Sequence, residues 1–140
     1  MAFIPLRSRV RRILLGVCVL IALGAQDSTA RNFAYHQDAS SVSSGWVVVD
    51  SRSAQQCEAA TMASARCLPA ADFFGPHRRL ASIAEIAWLL GTAGLDGNES
   101  VLVVGDDVTD RDFVAGMLFI MGQRQVRILA DHVSRLVLSN

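Results

Sequence analysis

The densest group of chemically active side chains in this sequence follows the apolar run 101–104. Gly105 is succeeded by Asp106-Asp107-Val108-Thr109-Asp110-Arg111, and a further carboxylate, Asp112, comes next. Carboxylates this close in sequence could converge on a divalent cation, yet their spacing is not that of an EF-hand loop. Aspartate directly before a helix is also a common cap. The pattern therefore favours capping over a metal site, and we predict no metal and no cofactor.

Two cysteines, Cys57 and Cys67, lie in the body of the sequence, and a third, Cys18, lies in an apolar N-terminal run. Ten residues separate Cys57 from Cys67. This separation permits a disulfide in an oxidising compartment, and a pair of buried thiols is the alternative. Because the two do not form a C-x-x-C motif, they do not indicate a thioredoxin-like redox site.

Composition excludes several classes of function. All 13 basic residues are arginine, so neither a Schiff-base lysine nor the lysine of a phosphate-binding loop is available. Three scattered histidines, His36, His77 and His132, lack the spacing of zinc ligands. Apolar residues make up 51% of the sequence, and 13 acids balance the 13 arginines. These values argue against disorder and against binding of nucleic acid.

Residues 1–30 have the order of a secretory signal peptide. Four arginines and no acid occupy residues 1–12, an uncharged run fills residues 13–25, and Ser28-Thr29-Ala30 supplies small residues for cleavage. A run of 13 residues is short of the ~20 that a bilayer span needs, so an uncleaved membrane anchor is the secondary interpretation. Cleavage would leave Arg31–Asn140, with 9 arginines against 12 acids, as a periplasmic or secreted protein.

Apolar strands alternate with helices in the remaining sequence. After a polar, loose segment at 31–45, we predict strands at 46–49, 65–68, 101–104 and 126–129, and helices at 54–63, 82–91, 112–122 and 132–138. This order predicts an α/β domain with a parallel sheet and helices on both faces. Trp46 and Trp88 are predicted in the core or at strand edges. Ligands of such folds bind beyond the carboxyl ends of the strands, which directs attention to the loop after residue 104.

Several of these segments, taken in order, resemble a rhodanese domain. The run 46–49 is followed by Asp50-Ser51-Arg52 and later by Leu68-Pro69, which is similar to the start of that fold. Residues 90–95 resemble the segment that leads into its central strand, and 101–104 resemble that strand. Gly122 and residues 126–129 resemble the return from helix to strand. The resemblance covers residues 46–138 and implies a three-layer fold whose central parallel sheet has about five strands.

The resemblance fails at the catalytic position. Rhodaneses place a cysteine directly after the central strand, where this sequence has Gly105, or Asp106 if one residue is gapped. The acids nearby, opposed only by Arg111, would disfavour a thiolate. The family resemblance also implies that Asp50, Arg52 and Pro69 serve the structure. The predicted degenerate active-site loop consists of Gly105, Asp106, Asp107, Val108, Thr109, Asp110 and Arg111.

These observations lead to three functional hypotheses. The first is an exported, non-catalytic rhodanese-like module that docks a partner protein through the degenerate loop and has no catalytic residue. The second is a periplasmic sulfurtransferase that carries a persulfide on Cys67 or Cys57. The third is a small metal-binding domain. A membrane would be contacted only through an uncleaved signal segment.

Overall fold

The structure, a computed structural model, describes residues 31–37 and 45–133. Two short 3₁₀ helices lie between its third strand and its second α-helix. In chain order the elements are β1 (Asn32–His36), β2 (Val47–Asp50), α1 (Ala54–Ala59), β3 (Arg66–Cys67), 3₁₀ helices at Ala70–Phe73 and Pro76–Arg78, α2 (Ile83–Thr92), β4 (Ser100–Val104), α3 (Val108–Ile120) and β5 (Gln125–Leu129).

The five strands form one parallel sheet in the order β1-β5-β4-β2-β3. The central strand β4 alternates between two cores: Val101 and Val103 face one, and Leu102 and Val104 face the other. Both sides of the central strand β4 are therefore buried, which is why residues 101–104 are continuously apolar. The predicted α/β class, with a parallel sheet of about five strands flanked by helices, is confirmed.

The larger core lies between the sheet and the helices α2 and α3. It includes Ile86 and Leu90 from α2, together with Val114 and Leu118 from α3. On the opposite face, Leu102, Val104 and Leu129 pack with Val133, and Met62 and Trp46 lie against them.

Local sequence signals set the start of each described α-helix. A capping box, the Ser-x-x-Glu spacing of residues 82–85, starts α2: Ser82 accepts a hydrogen bond from the N–H of Glu85, whose carboxylate accepts from the N–H of Ser82. Ser53 and Gln56 form the same arrangement at α1. At α3, Asp107 is the N-cap, so this helix begins four residues before the predicted residue 112.

The strand β1 was not predicted, and the interpretation of residues 31–45 as a loose polar segment is wrong for residues 32–36. Those residues pair along their length with β5, from Asn32 opposite Gln125 to His36 opposite Leu129. An edge strand has one neighbour and exposes much of its surface, so Phe33 and Tyr35 in a polar context were too weak a signal. The rhodanese-like resemblance began at residue 46, whereas the described fold begins with β1.

Trp88 also differs from its prediction, because it is exposed on α2 and not in the core. Trp46 is half-buried, and the guanidinium carbon of Arg127 lies 5.0 Å from the centre of its ring. Residues 1–30 and the predicted closing helix from residue 134 onwards are outside the described residues. Among the residues that are described, no helix is long and apolar enough to cross a membrane.

Candidate functional site

A pocket of about 240 Å³ opens at the carboxyl ends of β2 and β4. This is the edge of a parallel sheet at which ligands usually bind. Three chain segments line it: the turn from β2 into α1, the start of the first 3₁₀ helix, and the turn from β4 into α3. The lining residues are Ser51, Arg52, Ser53, Gln56, Pro69, Ala70, Ala71, Asp106, Asp107 and Asp110.

The floor of this pocket is stiffened by a buried ion pair between Asp50 and Arg52. Asp50 is fully buried, and the Arg52 guanidinium donates to both of its carboxylate oxygens, with a shortest distance of 2.6 Å. The Thr61 hydroxyl also donates to this carboxylate at 2.6 Å, and Arg52 Nη2 donates to the carbonyl of Ala60. Together these bonds tie the end of β2 to the chain that follows α1.

The pair also sets the charge state of the two groups. Burial alone would raise the pKa of Asp50, but the hydrogen bonds from Arg52 and Thr61 hold that pKa below its usual value. The hydrogen bond to Asp50 raises the pKa of the Arg52 guanidinium, although burial opposes this. Both groups are therefore charged near neutral pH and engaged with each other, which is the arrangement of a structural pair.

Gly105 occupies the position after β4 where a rhodanese-like fold would hold its nucleophile, and it has no room for a side chain. A Cβ built on Gly105 would overlap the Oγ of Ser51, and it would lie 3.3 Å from the Cβ of Arg111. Ser51 is buried and donates a hydrogen bond to the carbonyl of Val104 at 3.0 Å, so moving it aside would break a buried bond. A side chain at position 105 is therefore possible only if Ser51 moves.

The N-terminal end of α3 is occupied by the protein's own carboxylate. The Oδ1 of Asp107 accepts the N–H of Asp110 at 2.9 Å. In a persulfide or phosphate site, an anion would take up such N–H groups at the end of a helix. Here Asp107 satisfies that donor and places negative charge beside it.

The predicted degenerate loop, residues 105–111, is divided between this turn and the first turn of α3. Val108 and Thr109 begin the helix and are exposed. Asp106 lies 3.6 Å from Nη1 of Arg52 and 3.9 Å from Nδ1 of His132. The expectation that Arg111 alone opposes the acids is wrong, because Arg52 shares that role within the pocket lining.

Arg111 is buried to one side of the pocket and serves a different group of residues. Its Nε lies 3.2 Å from Oδ1 of Asp112, and its Nη1 donates to the carbonyl of Ala130 at 3.3 Å. The hydroxyl of Tyr35 donates to Asp112 at 2.6 Å, a bond that raises the pKa of Tyr35. These contacts fasten the edge strand β1 and the end of β5 to α3. Asp112 is consequently engaged away from the pocket.

Cys57 and Cys67 are joined by a disulfide, with their Cα atoms 5.9 Å apart. Cys57 is the buried residue of α1, and Cys67 ends β3, so the bridge fastens the short helix to the edge of the sheet. The disulfide that the sequence permitted is therefore present, and neither sulfur is a free thiol. In the ranges 31–37 and 45–133, no group of three or more His, Cys, Asp or Glu side chains is arranged to hold a metal ion.

The structure brings together residues that sequence reasoning treated separately. Asp50, Arg52 and Asp106 form one chain of contacts, and Pro69, the N-cap of the first 3₁₀ helix, lines the same pocket. Ser51, Gln56 and Thr61 were missed. Only Gln56 had a readable signal, the Ser-x-x-Gln spacing of a capping box.

No family model matches this chain, and no curated protein matches it either.

Proposed function

We propose that this protein is an exported, rhodanese-like binding module without sulfurtransferase activity. The proposal rests chiefly on Gly105, where Ser51 fills the space that a nucleophile after β4 would need. The end of α3 supports the same conclusion, because Asp107 already holds the N–H of Asp110. The pocket lining contains no cysteine, and the N-terminal end of α3 is already occupied by Asp107. Such a pocket suits binding better than sulfur transfer.

The pocket wall suits a protein partner that presents a basic side chain. Asp106, Asp107 and Asp110 line the pocket together with one arginine, Arg52, which is held by Asp50 and lies 3.6 Å from Asp106. Asp110 is exposed and leads outward from the pocket along α3. Asp106 and Asp107 already have contacts within the protein, and a guanidinium or ammonium group of a partner would add to these contacts, attracted by the excess of negative charge in the lining.

The first experiment asks whether the protein transfers sulfur. Protein produced from the full-length sequence in a secreting bacterium is assayed with thiosulfate and cyanide, beside a Cys57→Ser/Cys67→Ser variant made in the same way. Turnover of both at the level of the uncatalysed reaction is the expected result. Turnover that disappears in the double variant would overturn the proposal and establish the sulfurtransferase hypothesis instead.

The second experiment asks whether the pocket docks a partner. A photo-crosslinking amino acid is placed at Asp110, beside the pocket, or at Arg124 as a control. Arg124 is exposed immediately before β5, so it lies at the amino ends of the parallel strands, away from the pocket. We expect a discrete protein adduct from position 110 in the native host and none from position 124. Adding Asp106→Asn should weaken that adduct. Equal labelling from both positions, or none from position 110, would refute docking at this pocket.

Export has a direct readout in the same preparations. The intact mass should correspond to a chain that begins near Arg31. A full-length chain retained in the membrane fraction would show an uncleaved anchor instead.

A further inference from the structure

The solvent side of α2 is apolar, which is unusual for a helix on the surface of a sheet. Ile86 and Leu90 face the core. At 3.6 residues per turn, the exposed arc from the core side round to Trp88 carries five residues, Ile83, Ala87, Gly91, Ala84 and Trp88, and beyond Trp88 it is bordered by Thr92 and Glu85. We call these five residues the outer α2 face. All five are exposed, Trp88 to 73% and Ile83 to 76%.

Charge is nearly absent from this helix. Glu85 is its single charged residue, and the Glu85 carboxylate is engaged by the N–H and hydroxyl of Ser82. Surface helices normally present charged side chains to water, and an exposed apolar stripe marks a place where another surface binds. Helices that lie on anionic membranes carry basic residues on the polar side. Since α2 has none, a protein surface fits it better than a lipid surface.

The outer α2 face carries both large and small side chains, as a self-complementary surface requires. Large side chains, Ile83 and Trp88, alternate with the small residues Ala84, Ala87 and Gly91. Nothing lies within 4 Å of a Cβ built on Gly91, so the space beside this residue is open. If two copies cross antiparallel about a two-fold axis near Ala87, Trp88 of each copy lies toward the small residues of the other. Such a contact is isologous: the same patch of both copies forms it, so each pairing of a large with a small residue occurs twice.

The charges at the two ends of α2 select the antiparallel orientation. Arg78 and Arg79 are exposed just before the helix begins. Asp96 is exposed after its end, directly following Leu95, whose N–H donates to the carbonyl of Leu90 at 2.9 Å. Antiparallel crossing brings the arginines of one copy toward Asp96 of the other, whereas parallel crossing would bring like charges together.

We propose that the outer α2 face is the interface of a homodimer in which two α2 helices cross antiparallel. Trp88 alone leaves roughly 150 Å² exposed, given the 150–250 Å² that an aromatic side chain can bury. The whole face offers roughly 400 Å² per copy, so the contact lies at or below the small end of specific interfaces. The dimer is consequently weak, so its association has to be measured up to high protein concentration. This inference does not depend on the proposed function, because α2 does not contribute to the pocket.

Analytical ultracentrifugation of the exported protein across 1–500 μM tests the interface. We expect a reversible monomer–dimer equilibrium, a Kd raised at least tenfold by Trp88→Glu or by Ala84→Glu, and an unchanged Kd for Ile120→Glu. Ile120 is the matched control, because it is a helical residue that is also 72% exposed but lies on α3. Far-ultraviolet circular dichroism confirms that each variant is folded. A monomer at every concentration, or a dimer that the α2 variants leave unchanged, would overturn the proposal.

Disulfide trapping tests the orientation. The variants Ala84→Cys and Gly91→Cys are mixed and oxidised, and Ala87→Cys is oxidised by itself. Antiparallel crossing predicts that the 84–91 mixed dimer exceeds either homodimer, and that Ala87→Cys links efficiently to itself. Dominant 84–84 and 91–91 dimers would refute the antiparallel arrangement. Co-sedimentation with anionic vesicles that is lost in Trp88→Glu, without self-association, would assign the face to a membrane and overturn the homodimer.

Discussion

Removing Arg52 should destabilise the protein in a way that depends on pH. Arg52→Met keeps most of the side-chain volume but leaves the carboxylate of Asp50, which is fully buried, with only the Thr61 hydroxyl and the N–H of residue 52 as donors. Breaking a buried pair by removing one partner typically costs about 3–5 kcal/mol. Because these two donors remain, we expect a loss of about 3 kcal/mol at pH 7, a large part of the 5–15 kcal/mol typical of a domain.

The sign of the pH dependence follows from the pKa of Asp50. In the parent, this pKa is lowered on folding, so the pair stabilises the protein above the unfolded-state pKa of about 3.9 and this stabilisation is lost as the pH falls through the folded value. In Arg52→Met, burial is no longer outweighed and the folded pKa lies above the unfolded one. The charged form then destabilises the variant at neutral pH, and protonation relieves this on acidification. The stability difference between parent and variant should therefore shrink from pH 7 to pH 4.

Urea unfolding followed by tryptophan fluorescence, with the disulfide intact and protein at 1 μM, measures this difference. Arg66→Met is the control, because Arg66 donates to the carbonyls of Ala93 and Gly94 and contacts no carboxylate in these bonds. Its cost should be about 1 kcal/mol and should not change with pH. Asp50→Asn/Arg52→Met should recover part of the loss. A deficit for Arg52→Met that is equal at pH 7 and pH 4 would refute the electrostatic explanation and leave lost packing as the cause.

Three further predictions concern the pocket and its bridge. Gly105→Cys should give no thiosulfate turnover and should lose about 1–3 kcal/mol of stability, because its Cβ overlaps the Oγ of Ser51. Gly105→Cys/Ser51→Gly should regain most of this loss. If Gly105→Cys and the parent are equally stable in urea, the overlap with Ser51 is disproved. Asp107→Ala should cost about 1 kcal/mol and Asp107→Ser much less, and the reverse order would show that capping is not its role. Cys57→Ala/Cys67→Ala should lower the free energy of unfolding by about 2–3 kcal/mol, as expected for a loop this short. A reductant should then destabilise the parent and leave that variant unchanged.

Local signals in the sequence were sufficient to predict most of the layered architecture. The continuously apolar run 101–104 predicts a strand buried on both faces, and the mostly apolar run 126–129 predicts a second strand; the two runs lie within β4 and β5, respectively. The capping box at Ser82 predicts the start of α2 because its bonds join residues only three apart. The absence of lysine, read directly from the sequence, excludes a Schiff-base lysine whatever the fold.

The character of the site depended on contacts between residues far apart in the sequence. Residues 51 and 105 share a space because β2 and β4 are neighbours in the sheet, and no local pattern reports that overlap. The sequence predicted one repulsive cluster of acids after β4. In the structure these acids have different partners: Asp106 lies near Arg52, Asp107 caps α3, and Asp112 accepts from Tyr35.

Edge and surface positions were likewise decided by the tertiary structure. The strand β1 exists because β5 offers an open edge for residues 32–36, and their own sequence is too polar to indicate it. Trp88 has the residue type of a core position, but the core side of α2 is filled by Ile86 and Leu90, so the helix turns Trp88 to solvent. The sequence alone therefore determined the local hydrogen bonds and the buried strands, which depend on near neighbours. Only the tertiary structure decided which distant side chains share a space and which apolar residues remain exposed, because both depend on the packing of whole elements.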